Sequence, residues 1–297
     1  MAVDLARTAA RAPKLRTRVH AVARRAPIPI GRRLLTAAVL SWFALMVLVP
    51  TCALLRAAFS GGTAPFFAAV ASADARRAFG LTLGLAGVST VINTVFGVAA
   101  AMVLVRHRFW GRGLVDGLVD LPFAVSPVIA GLMLVVLYGP TSWLGGRLDG
   151  LGLRVVYNWP GMILVNLFVT LPFVVREVVP VLREFGVDQE EVARTLGAGR
   201  WTTFWRVTLP SIRWGLAYGV TLTIARSLGE FGALLVVSGN VLGRTQTTTL
   251  YIHEQIESFS PNSSYAASVV LAGASFVLLI GMETLRKHLS IHEHPEN

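Results

Sequence analysis

The chain has 297 residues, of which 54% are hydrophobic and 14% are charged. Soluble domains carry about 25% charged residues, so this composition excludes an ordinary soluble protein and indicates a membrane protein. The net charge of +11 would favour a nucleic-acid partner in a soluble protein. In a membrane protein, basic cytoplasmic loops account for such a charge, and no nucleic-acid partner is expected.

The basic segment 1–33 comes first and is predicted to be a disordered cytoplasmic tail that is attracted to anionic lipid. The apolar run after it is longer than the core of a signal peptide, so we favour an uncleaved first helix at 34–55 over a cleaved signal. At the other end of the chain, residues 286–297 are predicted to form a polar cytoplasmic tail.

The rest of the chain is dominated by apolar stretches long enough to span a bilayer, which takes about 20 residues in a helix. The fifth stretch is interrupted only by Arg226 and Glu230. We therefore predict six transmembrane helices, near residues 34–55, 80–105, 115–139, 160–182, 214–239 and 265–285.

The distribution of lysine and arginine orients these helices. If the N-terminus is inside, basic residues on the inner segments outnumber those on the outer segments by roughly three to one, which favours this orientation. The sequence thus predicts a multi-pass membrane protein with both termini in the cytoplasm. It also predicts that the polar loop 183–213 lies on the cytoplasmic side.

This loop is long and polar for a connection between two membrane helices. Asp188 and Glu191 have the spacing of a capping box, which predicts a short helix from Asp188 to Leu196. Gly197 then fits the position after the helix, where a left-handed turn favours glycine. The carboxylates of Glu190 and Glu191 are expected at the positive end of the helix dipole.

A second short helix is predicted after Gly197, and Pro210 is expected to end it. Its predicted common face consists of Trp201, Phe204, Trp205 and Thr208. Arginines at 194, 200 and 206 add to a mixed-charge surface that suits a polar protein partner. The alternative is an interfacial amphipathic loop whose tryptophans lie at the level of the lipid headgroups.

A family resemblance rests on fixed spacing within this loop, in the pattern Glu191-x-Ala193-x3-Gly197-x9-Val207-x-Leu209-Pro210. This pattern resembles the cytoplasmic EAA loop of permease subunits in bacterial ABC importers, which docks onto the ATPase subunit and couples ATP hydrolysis to transport. Val192 and Val207 stand where the family usually has Ala and Ile, and they keep the apolar character. The resemblance implies a coupling role for Glu190, Glu191, Ala193, Gly197, Arg200, Leu209 and Pro210.

The resemblance covers about residues 80–285 and extends to four further segments: LPFAVSPVIAG, VTLPFVVREV, LPSIRWGLAYG and ARSLGEFGALLVVSGN. These are similar to the sulfate/thiosulfate and molybdate group of ABC permeases, and in particular to W-type sulfate permeases. The resemblance implies an all-α membrane protein with six transmembrane helices and a type I ABC importer permease (MetI-like) core. It also implies four kinds of partner: a homologous T-type permease subunit, two ATPase subunits, an extracellular sulfate-binding protein and the lipid bilayer.

No catalytic residue, metal site or nucleotide site is expected in this chain. Lys14 and Lys287 are its lysines, and neither lies in a Gly-x4-Gly-Lys-Ser/Thr phosphate-binding loop. ATP and Mg²⁺ are therefore expected in the partner ATPase. Cys52 is a single cysteine and has no partner for an internal disulfide.

Charged and helix-breaking residues inside the predicted spans are candidates for the translocation pathway, because charges at membrane depth usually face a bundle interior or a water-filled path. The candidates are Arg226, Ser227, Glu230 and Pro127. The alternative for Arg226 and Glu230 is a structural ion pair across one helical turn. The alternative for Pro127 is an ordinary helix kink.

Two other groups of polar residues have simple expectations. Arg176 and Glu177 are expected to extend their side chains to the inner membrane surface from the end of the fourth span. The outer loop near residues 238–246 is a weak candidate for contact with a binding protein, through Ser238, Asn240, Arg244 and Gln246.

The function predicted from the sequence is sulfate import, with thiosulfate as a possible second substrate, by one half of an ATP-driven pore. Within the class, the alternative is a molybdate or tungstate ABC permease. From another class, the alternative is an ion-coupled secondary anion transporter, which needs no docking loop and often has inverted repeats.

Overall fold

The computed structural model describes residues 30–290, and every regular element in that range is helical. The predicted tails at 1–33 and 286–297 therefore lie largely outside the described residues. The helices are α1 (Ile30–Phe43), α2 (Val49–Ala58), α3 (Thr63–Val70), α4 (Ala73–Arg106), α5 (Arg112–Ala124), α6 (Pro127–Tyr138), α7 (Trp143–Gly150), α8 (Trp159–Phe185), α9 (Asp188–Thr195), α10 (Arg200–Thr203), α11 (Leu209–Leu228), α12 (Gly232–Val237), α13 (Thr248–Glu257) and α14 (Pro261–Ser290). Wider π-helical turns lie at Ala44–Leu48 and Phe204–Thr208.

The chain divides into two compact units, residues 1–53 and residues 54–297. The described part of the first unit is helical from Ile30 onward and includes the π-helical turn at Ala44–Leu48. The second unit contains all the helices from α3 to α14 and carries every site considered below.

Four continuous helical stretches are long and apolar enough to cross a membrane, and they match four of the six predicted spans. They are Leu34–Ala58, Ala73–Arg106, Trp159–Phe185 and Pro261–Thr284. The 34 residues of α4 reach about 50 Å, which is more than the ~30 Å that a hydrocarbon layer requires. The structure thus supports a multi-pass membrane protein.

The third predicted span, near 115–139, is not one straight helix. Helices α5 and α6 meet at a bend of 111°. Ser126 has an extended backbone (φ −59°, ψ 137°) and is followed by Pro127 at the start of α6. A residue before proline is disfavoured in the helical conformation, so the chain breaks and changes direction at Pro127, one of the two outcomes considered for this residue.

The fifth predicted span, near 214–239, is also broken, so two of the six predicted transmembrane helices are interrupted. Helix α11 ends at Leu228, and the short helix α12 begins at Gly232. The hydropathy of the stretch predicted a span but not this interruption, and neither α11 nor α12 is among the described helices that are long and apolar enough to cross a membrane. By length and composition, the described residues contain four continuous spans and a fifth if α5 and α6 are counted as one.

The core of the second unit is a close packing of α4, α8 and α11 around Val174, which is fully buried. Gly97 of α4 and Gly219 of α11 both face this residue. A Cβ atom on Gly97 would lie 2.8 Å from the Val174 side chain, and one on Gly219 would lie 3.0 Å from the Val174 Cα. Small residues let helix backbones approach closely, which is how helices associate inside a bilayer.

Candidate functional site

The loop between α8 and α11 contains a helix whose end is defined by Gly197. This glycine has φ +86°, and its N–H donates to the Arg194 carbonyl at 3.0 Å. The next N–H, of Ala198, donates to the Ala193 carbonyl at 3.0 Å. This pair of bonds is a Schellman motif, and it confirms the predicted position of Gly197 at the end of α9.

The predicted capping box at the start of α9 is wrong. The residue that precedes the helix is Val187, and Asp188 is the first helical residue, with no side-chain bond that caps the helix. The carboxylates of Asp188, Glu190 and Glu191 still lie in the first turn. They therefore retain the favourable interaction with the positive end of the helix dipole that the sequence predicted.

The second half of the loop differs from the predicted short helix. It forms α10 and then the π-helical turn Phe204–Thr208, and it continues directly into α11. Pro210 therefore does not end the helix but lies in the first turn of α11. The wide turn explains this, because the Leu209 N–H donates to the Phe204 carbonyl, five residues back, and an enlarged turn relieves the steric conflict that proline causes in a regular helix.

The π-helical turn also divides the predicted aromatic face. Trp201 and Trp205 are 75% and 58% exposed, whereas Thr208 is buried. Leu209 is half-buried and packs against the core around Val174. The tryptophans thus lie on the exposed side of the loop, and the residues that follow anchor the loop to the bundle.

Glu190 is buried, although it lies beside the exposed Glu191. Its Oε1 accepts a hydrogen bond from Nη2 of Arg106 at 2.9 Å and another from the Thr208 hydroxyl at 2.9 Å. Arg106 is the last residue of α4 and also donates from Nη1 to the Leu182 carbonyl at 3.4 Å. The predicted coupling residue Glu190 therefore ties the loop to α4, and its carboxylate is not presented to a partner.

The outward side of the loop, which we call the loop surface, combines apolar and charged side chains. Glu191, Gly197, Arg200 and Pro210 are exposed, and Ala193 is half-buried. The apolar members are 58–82% exposed and are Val192, Leu196, Trp201 and Trp205. So many exposed large apolar side chains in one short loop are typical of a surface that contacts another protein or a membrane.

The pathway candidates Arg226 and Glu230 form an ion pair, with Nη1 of Arg226 at 2.8 Å from Oε2 of Glu230. The other oxygen of Glu230, Oε1, accepts the Ala233 N–H at 2.9 Å in the first turn of α12. The Glu230 carbonyl accepts the Thr249 hydroxyl at 2.7 Å. Glu230 thus stabilises the break between α11 and α12 in addition to pairing with Arg226.

The other two pathway candidates lie next to this break. Ser227 is buried and accepts a hydrogen bond from Nδ2 of Asn166 at 3.1 Å. Pro127, at the start of α6, lies near Gly232 at the start of α12, where a Cβ atom on the glycine would be 3.6 Å from the Cβ of Pro127. The structure therefore brings all four predicted pathway residues to the region where the two broken helices meet.

Buried polar residues of α4 and α8, which the sequence analysis missed, pack near these candidates. Nδ2 of Asn93 donates to the Thr170 hydroxyl at 2.8 Å and to the Leu167 carbonyl at 3.0 Å. The Thr170 hydroxyl donates to the Asn166 carbonyl at 2.7 Å. Polar residues within apolar spans were the available signal, because their burial in lipid is costly unless they find partners inside the bundle.

The structure gives Arg176, which was expected to extend to the inner membrane surface, specific partners. It pairs with two carboxylates of α5, with Nη1 at 2.8 Å from Oδ1 of Asp116 and Nε at 2.6 Å from Oδ1 of Asp120. Asp116 and Asp120 are one helical turn apart, so a single guanidinium can bind both. This contact holds α5 against α8.

The opposite end of the bundle contains a cleft of about 870 Å³, lined in part by Asp149, Arg154 and Arg244. Arg154 pairs with Asp149 at 2.8 Å. Of the four residues considered for contact with a binding protein, Ser238 and Gln246 are buried. Gln246 bonds internally to Asn240 and Glu254, so Arg244 is the exposed member of that group.

Comparison with known proteins agrees with this architecture. The family model described as "Binding-protein-dependent transport system inner membrane component" matches residues 93–290. The sulfate transport system permease protein CysW of Synechocystis is 46% identical over 260 residues, covering 88% of this chain and 94% of that protein. The sulfate transport system permease protein CysT of Escherichia coli is 40% identical over 243 residues, covering 82% and 87%.

A solved structure supports the fold independently. A bacterial alginate ABC transporter, crystallised with its alginate-bound periplasmic protein, contains a chain that aligns with a TM-score of 0.71 and 23% identity. The alignment covers 88% of this chain and 96% of that one. At this level of identity, the likeness concerns the fold alone.

Proposed function

Because this chain belongs to the family of inner-membrane components of binding-protein-dependent transport systems, we propose that it is the W-type permease subunit of an ATP-driven sulfate importer. The main support for this proposal is the 46% identity with a sulfate permease across 88% of the chain. As a permease subunit, it moves the ion by alternating access and breaks no bond itself.

In this proposal, the loop surface docks onto the ATPase. Leu196 and Trp201 are 82% and 75% exposed in a loop that also carries Glu191 and Arg200. Exposed apolar groups flanked by charges suit a mixed protein interface. The loop therefore lies in the cytoplasm, as do both termini, and ATP and Mg²⁺ bind to the partner subunit.

The complete importer contains a homologous T-type permease, two ATPase subunits and an extracellular sulfate-binding protein, all assembled in the cytoplasmic membrane. The cleft beside Arg154 and Arg244 faces the outside in this arrangement. The pathway runs past the two helix breaks, where Arg226, Ser227, Glu230 and Pro127 are close together. Of these, Arg226 supplies the positive charge that lowers the barrier for a divalent anion.

Deletion of this chain from its own cells tests the transport role. Uptake of radiolabelled sulfate that depends on ATP and on the binding protein is expected to disappear and to return with the restored chain. Loss of molybdate uptake with intact sulfate uptake would instead assign the chain to a molybdate importer. Sulfate uptake driven by an ion gradient without ATP would indicate a secondary transporter.

Substitution of the exposed tryptophan tests the docking role. Trp201→Ala is expected to weaken ATPase binding in a pull-down from detergent, because exposed aromatic side chains often carry much of the energy of an interface. Trp143→Ala is the matched control, since Trp143 is 70% exposed but lies in α7. Equal ATPase binding by both variants would exclude the loop surface as the docking site.

A further inference from the structure

A buried contact outside the loop surface joins the loop to the longest helix of the bundle. Arg106 and Glu190 pair at 2.9 Å, with side-chain exposures of 12% and 6%. They lie 84 residues apart in the sequence. Because a buried charge is costly unless paired, this contact resists being opened or stretched.

The carboxylate of Glu190 connects the first and the second half of the loop. It belongs to α9, and it also accepts the hydroxyl of Thr208, at the end of the π-helical turn. Arg106 adds a bond to the carbonyl of Leu182, near the end of α8. Three segments that enter and leave the loop are thus fixed to the last turn of α4 through the side chains of Arg106, Glu190 and Thr208.

Helix α4 is attached just as specifically towards its other end. The hydroxyls of Thr82 and Thr248 are 3.0 Å apart, and the Thr248 N–H donates to the Thr82 hydroxyl at 2.8 Å. Thr248 begins α13, which follows the broken helix pair α11 and α12. Thr82 and Arg106 are separated by about 36 Å along the helix axis.

We propose that Arg106 is a positioning residue that makes the coupling loop and α4 move as one body during transport. We call its contact with Glu190 and Thr208 the latch. A displacement of the loop surface by the ATPase is then carried along α4 to the contact between Thr82 and Thr248. This inference rests on the proposed function, because it takes the loop as the element on which the ATPase acts.

The latch predicts a specific defect, which is ATP hydrolysis without transport. In Arg106→Met, the loop still docks onto the ATPase through the loop surface, but it moves without α4. In proteoliposomes that contain the complete importer, the number of ATP molecules hydrolysed per sulfate imported is expected to rise about fivefold or more. Arg108→Met is the matched control, because Arg108 is exposed, and its ratio is expected to equal that of the wild type.

A double variant separates a positioning role from a merely structural one. Arg106→Met leaves the Glu190 carboxylate buried and unpaired, which by itself can impair assembly. Arg106→Met with Glu190→Gln removes that charge, and the glutamine keeps an oxygen that accepts the Thr208 hydroxyl. Assembly is expected to recover in the double variant, whereas the ratio of ATP to sulfate stays high.

A wild-type ratio of ATP hydrolysed to sulfate imported in the double variant, at equal assembly, would overturn the proposed role of the latch. The same conclusion follows if Arg106→Met assembles and couples like Arg108→Met. Failure of the proposed function gives a different result, since the wild-type importer itself would then show no ATP-dependent sulfate uptake.

Discussion

Arg226 and Glu230 form an ion pair in which the carboxylate is almost fully buried and the guanidinium remains about one-third exposed. The partners are therefore not equivalent. Glu230 is fixed by the Ala233 N–H at the start of α12, whereas Arg226 keeps part of its surface open to a neighbour or a passing anion.

This asymmetry predicts the behaviour of two variants. Arg226→Gln is expected to reduce sulfate uptake, because it leaves Glu230 as a buried unpaired carboxylate. Adding Glu230→Gln removes that charge while an amide oxygen remains to accept the Ala233 N–H. Assembly should therefore recover in the double variant, while uptake stays low if Arg226 serves the pathway. Sulfate uptake near the wild-type level at equal membrane abundance would indicate a purely structural pair.

Gly197→Val is expected to uncouple the importer. The residue has φ +86° and open space around its Cβ position, so the cost of ~1 kcal/mol or more comes from the left-handed backbone alone. Sulfate uptake and stimulation of ATP hydrolysis by loaded binding protein should both fall.

Gly199→Val is the control for this variant. Gly199 also has open space, but its φ of −70° suits any residue. Normal sulfate uptake by Gly197→Val, or equal loss by both variants, would contradict the role given to this turn.

Gly97→Ala is expected to destabilise the protein. Its Cβ would lie 2.8 Å from the Val174 side chain, and an overpacked core costs about 1–3 kcal/mol. The melting temperature of the purified complex should fall. Gly87→Ala, at a site of α4 with nothing within 4 Å of the new Cβ, should leave it unchanged or slightly raised, because alanine favours a helix over glycine. Equal melting temperatures would mean that α4 and α8 are not in the close contact described.

The orientation is tested by thiol labelling in intact cells. With Cys52→Ser as the background, Ala2→Cys and Pro295→Cys are expected to be protected from a membrane-impermeant reagent, because the proposed orientation places both termini in the cytoplasm. Arg244→Cys, beside the cleft that this orientation places outside, should be labelled. Labelling at position 2 or position 295 from outside would reverse the topology.

The loop illustrates what local sequence can and cannot predict. The position of Gly197 follows from chemistry within a few residues, because a left-handed turn after a helix favours glycine. The burial of Glu190 does not, because adjacent Glu190 and Glu191 have the same type of side chain and differ only in the direction they face. That direction is set by Arg106, which lies 84 residues away in the sequence.

The broken spans illustrate a second limit. Hydropathy reports which residues prefer lipid, and it predicted spans near 115–139 and 214–239. It does not report whether the helix in such a stretch is continuous or changes direction. The proline at 127 indicated the first break, whereas at the second break Glu230 accepts a hydrogen bond from the Ala233 N–H, a contact that an apolar window does not detect.

The π-helical turn at Phe204–Thr208 makes the loop sensitive to the number of residues between Trp201 and Pro210. Removing one residue from this turn would let it close as an ordinary α-helix and would rotate everything before it by about 100° relative to α11. The tryptophans would then leave the outward side, and the proline ring would meet a carbonyl of the preceding turn. A one-residue deletion here is therefore expected to harm the protein more than most single substitutions, and the length of this turn is itself a functional property.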